Sequence, residues 1–291
     1  MAETVSSGLY APEVWEDLSQ AEFVNRAIVL NAATQADTLS GVPGDTVAFP
    51  KWSTLSDLAD LSEGVAMGTE ALTQSSSRAT IKEAGKAVEI TDTASLNGLG
   101  NAQDEAIRQF GVLAARKLDA DLITAASEVV TGGITYADGS AATDSAPLQF
   151  ATAAGVGLTW ETIVDSTTLF GDDFELSDVF GLFIRSDQKA AILKDDQFIQ
   201  AAQTNSGNSI VNRGLIGQVG GLDVYVTDRI ASGKSLIVKR NSLGVLYKRR
   251  PVVEQDRDIL KRTNVVTTNL HYAVKRLNDK GVVDITLTPA V

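Results

Sequence analysis

Any chemistry in this chain must come from carboxylates, a single histidine and a few serine and glycine patterns, because its 291 residues include no cysteine. Disulfides, thiolate metal sites and thiol catalysis are therefore excluded. The histidine, His271, sits in a run of β-branched residues over 265–274. A histidine base needs a nucleophile or acid within reach, and no motif around it supplies one. It reads as a strand-surface or interface residue. One histidine without cysteine also leaves a zinc site short of its usual ligands. Ser186-Asp187-Gln188-Lys189 fits the Ser-x-x-Lys pattern of some acyl enzymes, but the companion motifs are missing. A serine N-cap opening a helix to about Lys194 explains it more simply. Gly98-Leu99-Gly100 has the look of a phosphate-binding turn, yet it lacks the third glycine and a buried strand leading into it. A hinge fits better. Asp172-Asp173 and Asp195-Asp196 are adjacent carboxylates, Asp119 and Asp121 are two apart, and Glu254, Asp256 and Asp258 alternate along one strand face. Calcium takes several carboxylate oxygens, but the glycine and terminal glutamate of an EF-hand loop are absent. Ion pairs between subunits, made with Arg249, Arg250, Arg257, Lys261 and Arg262, account for the alternating carboxylates better. Each exposed pair is worth only ~0–1 kcal/mol, but a repeated interface multiplies it. No cofactor or metal is expected.

Charge is unevenly spread. Residues 1–233 carry 13 Lys and Arg against 32 Asp and Glu, and residues 234–280 carry 12 against 4, within a net charge of −12. Overall acidity argues against general nucleic-acid binding. The basic stretch would face DNA or, the better reading, pair with acidic groups of the same or a neighbouring subunit. No secretion signal opens the sequence and no apolar run has membrane-spanning length, so no membrane partner is expected.

The elements that would position these residues follow in order. Residues 1–44 form an arm with a helical pattern over 12–31, where Pro12 suits a first turn and Trp15, Leu18, Phe23 and Ile28 are the large apolar residues. Residues 45–91 read as a projecting β-ribbon, two strand-like runs around an acidic, poorly apolar tip; such a ribbon is barely stable alone. Within the segment 92–133, residues 102–129 hold the strongest helix signal, with Ile107, Phe110, Ala114, Leu118 and Leu122 at spacings of three and four. Arg108, Gln109, Arg116, Lys117 and Asp121 fall on the opposite face, and Gly132-Gly133 ends the element. Residues 134–233 alternate strand and helix, which marks an α/β module, with a polar loop at 203–213. Residues 234–291 read as strands rich in β-branched residues, packing mainly against the long helix.

This order resembles the major capsid proteins of tailed phages, the Hong-Kong-97-like fold. Three stretches carry the resemblance: 101–121, NAQDEAIRQFGVLAARKLDAD, is similar to the family's spine helix; 180–195, FGLFIRSDQKAAILKD, to a strand and helix of its axial domain; and 216–227, IGQVGGLDVYVT, to a glycine-flanked strand there. The likeness covers nearly the whole chain. It implies an α+β fold with N-terminal arm, extended ribbon, peripheral domain built on spine helix and sheet, and α/β axial domain.

The resemblance further implies a structural protein, not an enzyme. Its subunits would form hexamers and pentamers of an icosahedral shell, assembled in the bacterial host cytoplasm, enclosing double-stranded DNA held non-specifically on the inner face. A portal and, optionally, a decoration protein would be further partners. The arm begins almost at Met1, which implies a separate scaffolding protein. Some members join a ribbon-tip lysine to an asparagine of the next subunit; residues 55–74 contain no lysine, so no such bond is expected. The expected intersubunit residues are Trp15, Trp52, Arg249, Arg250, Glu254, Asp256, Arg257 and Asp258. Two rivals remain: an encapsulin-type nanocompartment shell, told apart by genomic neighbours, and a carboxylate-dependent hydrolase, which would stay a small soluble oligomer.

Overall fold

The computed structural model describes residues 27–36, 43–53, 55–58, 60, 63–64, 66–97, 101–132, 134–136, 140, 145–195 and 217–288. The arm before residue 27 with Trp15, the 98–100 turn and the 203–213 loop lie outside these residues.

Helix α2 (Ala102–Ser127) follows the short helix α1 (Asp92–Asn97). Asn101 caps α2, its side chain accepting the Gln103 N–H at 3.1 Å, and Asp104 and Glu105 occupy the first turn, where they complement the helix dipole. Ile107, Phe110, Ala114, Leu118 and Leu122 are all buried, as their spacing predicts. Full burial of a Leu or Phe side chain stabilises by about 1.5–3 kcal/mol, so this stripe fixes the helix.

Two sheets contribute to the packing around α2. The first has strand order β1-β11-β12-β4, from β1 (Ala33–Ala36), β11 (Leu243–Asp258), β12 (Thr263–Arg276) and β4 (Lys82–Thr91). The runs 245–247 and 252–254 are one strand here. Pro251 lies between them with no N–H to donate, and the β11–β12 register shifts between Tyr247 and Arg249 and again before Val252. The second sheet runs β6-β13-β10-β7-β9-β8, from β6 (Leu148–Ala151), β7 (Val179–Ile184), β8 (Gln218–Val219), β9 (Leu222–Val226), β10 (Lys234–Lys239) and β13 (Val282–Thr286). Its side chains alternate between two cores. Leu182, Ile184, Ile237, Val283 and Ile285 pack with Ile163 of α3 (Trp160–Thr167) and Ile192 of α4 (Ser186–Leu193). Phe183, Leu236, Val238 and Val282 share a core with Leu118 and Leu122 of α2. Gly220 and Gly221, both at positive φ, make the two-residue turn between β8 and β9.

The third sheet, β2-β3-β5, is the ribbon, β2 (Thr46–Trp52) with β3 (Gln74–Thr80), joined at its root by the three-residue β5 (Ile134–Tyr136). The ribbon is shorter than the expected 45–91. The chain breaks at Ile81, and β4 pairs with β12 from Lys82↔Tyr272 to Thr91↔Thr263. Alternation marks a strand but does not say which partner it takes. For the same reason β10 and β13 hydrogen-bond in the six-stranded sheet and not beside β11 and β12, while Leu236, Val238 and Val282 still pack against the long helix as expected. Ser186 is not the N-cap of α4: that position is Arg185, whose N–H donates to Gln188 Oε1 at 2.9 Å. The Ser186 hydroxyl and N–H both donate to Asp228 Oδ1, at 2.6 and 3.2 Å, so a carboxylate from a neighbouring loop satisfies the helix start.

Candidate functional site

Three polar clusters tie the arm, the ribbon root and β12 to α2. The first anchors the arm. The backbone N–H groups of Ile28, Val29 and Leu30 donate to the carboxylate of Asp119 at 2.9, 3.1 and 3.2 Å. They belong to a 3-10 turn, Val29–Ala32, whose apolar residues are buried, and whose first donors have no partner within the turn. The chain then pairs as β1 parallel to β11, Ala33 opposite Leu243. Burial pushes the Asp119 carboxyl up, and the three amide bonds and the Arg229 charge offset only part of that rise.

The second cluster roots the ribbon. Arg276, at the end of β12, is 2% exposed. Its Nη1 donates to the carbonyls of Ala125, Ala126 and Glu128 at 3.2, 2.8 and 2.8 Å, so a cation closes the C-terminus of α2, where unpaired carbonyls and the helix dipole favour it. Its Nε donates to Asp279 Oδ1 at 2.7 Å and its Nη2 to Ser145 Oγ at 3.2 Å. Asp279 also accepts from Ser145 Oγ at 2.7 Å and from Lys51 Nζ of β2 at 3.1 Å. Burial raises the Asp279 carboxyl, but the Arg276 and Ser145 hydrogen bonds and the Lys51 charge together hold it below its ordinary value. Burial lowers the Lys51 ammonium despite Asp279.

In the third cluster the Tyr272 hydroxyl donates to Asp121 Oδ2 at 2.6 Å and Lys117 Nζ to Oδ1 at 3.0 Å. Asp121, expected on the exposed helix face, is thus 8% exposed. Burial pushes its carboxyl up and these bonds outweigh that, while Tyr272 is raised by burial and by the carboxylate. Asp119 and Asp121 are two residues apart, hence about 200° around the helix, and they do separate work.

Of the expected intersubunit residues, Trp52 ends the ribbon ladder, exposed on the solvent side. Arg249 pairs with Glu254 at 2.6 Å along β11, and the Arg250 guanidinium lies 4.9 Å from the Tyr247 ring centroid. Asp256 accepts the Arg257 N–H at 2.7 Å, Arg257 pairs with Asp92 at 2.9 Å, and Asp258 accepts the N–H groups of Leu260 and Lys261 at 2.9 and 3.1 Å. The ion pairs described for these groups are therefore made within one subunit, on an exposed hairpin. His271 Nε2 lies 3.6 Å from Glu83. A cleft of 910 Å³ between Phe170, Asp172, Glu175, Lys239, Arg240 and Lys280 carries charges of both signs. No group of three or more metal-ligating side chains occurs among the described residues.

Sequence reasoning missed Lys51, Arg276 and Asp279. The signal was an arginine closing a strand of β-branched residues, with an aspartate three positions on.

Comparisons agree with this architecture. A family model described as phage capsid protein matches residues 73–285. The major capsid protein of Staphylococcus phage phiMR11 is 27% identical over 286 residues, covering 97% of this chain and 95% of that one. Among solved structures, the cyanophage Pam1 capsid superposes with a TM-score of 0.69 at 16% identity, over 100% of this chain and 97% of that one. The capsid of cyanophage P-SCSP1u gives 0.68 at 13%, over 91% and 89%.

Proposed function

We propose how this subunit builds a shell, from the premise that the chain belongs to the phage capsid protein family. It is a major capsid protein of a tailed phage, a structural subunit and not an enzyme, and it self-assembles into the virion capsid with the Hong-Kong-97-like fold. The family match supports this most directly, because it runs from the ribbon strand β3 through α2 and both large sheets to β13.

Hexamers and pentamers of the subunit form a precursor shell in the bacterial host cytoplasm, with a separate scaffolding protein and a portal, and a decoration protein added outside where one exists. DNA is packaged against the inner face without sequence preference. Trp15, Trp52, Arg249, Arg250, Glu254, Asp256, Arg257 and Asp258 lie at contacts between subunits, the exposed ion pairs of β11 adding cross-subunit partners. Contacts of this overlapping kind belong to the large obligate class, about 2,000–5,000 Å², and closed symmetry makes them finite. The shell carries no lysine-asparagine links, so mature particles run as monomers on a boiled denaturing gel; a ladder of bonded subunits would show otherwise.

Electron microscopy of the expressed protein, with and without a scaffolding partner, tests the reading. Closed particles are expected. Discrete small oligomers alone, in lysates of the source phage as well, would sink it.

A further inference from the structure

We propose that the exposed face of α2, with the edge strand β4 beside it, lines the inside of the shell and holds the phosphate backbone of packaged DNA. The inference rests on the reading that the shell encloses DNA, and it names the surface that meets it. The stretch with the basic sequence, 234–280, is a poor candidate once folded. Its Arg249, Arg257 and Arg276 pair with Glu254, Asp92 and Asp279 of the same subunit. The cations that gather come instead from the acidic part of the chain. Residues 1–233 carry 13 Lys and Arg against 32 Asp and Glu. Five of those cations, Lys82, Lys86, Arg108, Arg116 and Lys117, are brought to one face.

The backbone puts them there. Alternate residues of a strand share a side of the sheet. Ala84 and Val88 of β4 pack with α2 residues, so Lys82 and Lys86 also lie on the α2 side, about 13 Å apart. Glu83 and Glu89 lie on the other side, where Glu83 meets His271. On α2, Ile107, Phe110, Ala114 and Leu118 are buried, which leaves Arg108, Arg116 and Lys117 facing out. Arg108 and Arg116 are about 12 Å apart along the helix. Lys82 and Lys117 meet at Asp121, at 3.9 and 3.0 Å, which joins the strand row to the helix row. Two carboxylates lie in this surface. Asp121 is buried beneath its two lysines, and Glu105 accepts from Arg108 and Gln109, both at 2.7 Å. Lys86 and Arg116 are exposed and have no ion-pair partner among the described residues. The charge left facing solvent is therefore positive. A groove of 280 Å³ opens between Arg108, Gln109, Leu113 and Arg116. Leu113 is the one large apolar side chain exposed on this face among the described residues, too little to seat the apolar stripe of a protein helix. Rows of cations on rigid elements suit a rod of regularly spaced phosphates, and such contacts read no base sequence. The acidic remainder of the chain repels phosphate, which confines the contact to this face.

Binding of a random-sequence duplex of about 30 base pairs to full-length unassembled subunits tests it, by fluorescence anisotropy over a range of salt. Affinity is expected to fall steeply with salt, with a log–log slope of about −3. Lys86→Glu with Arg116→Glu is expected to weaken binding about tenfold or more at low salt and to flatten the slope by about 2. The melting temperature should not change, because both side chains are exposed and unpaired. Lys189→Glu with Lys194→Glu makes the same change in net charge at α4, and is expected to leave binding within about twofold. Reversals at 86 and 116 that bind the duplex like the wild type, or no worse than the α4 pair, would overturn the proposal. So would a loss of closed shells in the 86 and 116 variant with duplex binding intact, because a protein segment would then occupy the face. Wild-type subunits that close into shells yet bind no duplex would overturn the DNA face and leave the shell reading intact. Absence of closed particles from the wild type itself would overturn both.

Discussion

Along α2 the large apolar side chains of Ile107, Phe110, Leu118 and Leu122 are all buried, whereas along the ribbon apolar side chains become more exposed with distance from the body: Phe49 is buried, Trp52 is 63% exposed and Leu58 is fully exposed. Both are long elements by sequence. The helix has packed strands around it. The ribbon has three residues of β5 and the Lys51–Asp279 pair at its root, and beyond them no buried apolar side chain among the described residues. A two-stranded ribbon is marginal in water, which supports the proposal that its outer half draws stability from a neighbouring subunit. On that proposal the body is specified by its own contacts, and the ribbon by assembly.

Arg276→Met breaks this division most severely, because the same side chain closes α2 and orders the ribbon root. Removing one partner from a buried charged network costs about 3–5 kcal/mol, read by urea unfolding of unassembled subunits. A loss below about 1 kcal/mol would mean that the two regions are not coupled there. Asp119→Ala isolates the arm. Three amides lose their acceptor, at about 1–3 kcal/mol, and hydrogen exchange at Val29 and Leu30 should quicken while central α2 amides keep their protection.

The carboxylates predict opposite pH dependences. Asp279 and Asp121 are held below their ordinary value of 3.8, so their stabilisation is present above that pH and is lost as pH falls through their folded-state values. Asp119 is raised, so its protonation favours the folded state and adds stability as pH falls toward 3.8. The two depressed groups outnumber the raised one, and the subunit should lose stability below about pH 4. Asp279→Asn should flatten that acid limb by up to one proton, about 1.4 kcal/mol per pH unit; an unchanged slope would refute the assignment. The smallest effect on folding sharpens the contrast most. Trp52→Ala should leave subunit stability within about 0.5 kcal/mol yet reduce shell formation, measured by sedimentation.

The long helix was legible because its contacts repeat locally, every three or four residues. The strands were legible too, but not their partners: nothing near Ile81 says that the chain leaves one sheet for another, and β10 and β13 resemble β11 and β12 in composition. Asp121 was assigned to the wet face because Tyr272, the group that covers it, lies 151 residues away. Arg276 and Asp279 were illegible for the same reason. Their partners come from α2, β2 and the segment at Ser145, which only the folded chain brings together. The expectation for the ribbon tip rested on what it lacks, a periodic apolar pattern and a lysine.

Replacing residues 53–73 with a two-residue Asn-Gly turn, which suits a hairpin of this kind, tests the division between body and ribbon most directly. Urea unfolding and sedimentation would be measured on the same preparation. A cooperative transition of wild-type midpoint, with closed shells gone, is the predicted result. Shells of normal size, or a body that no longer unfolds cooperatively, would contradict it.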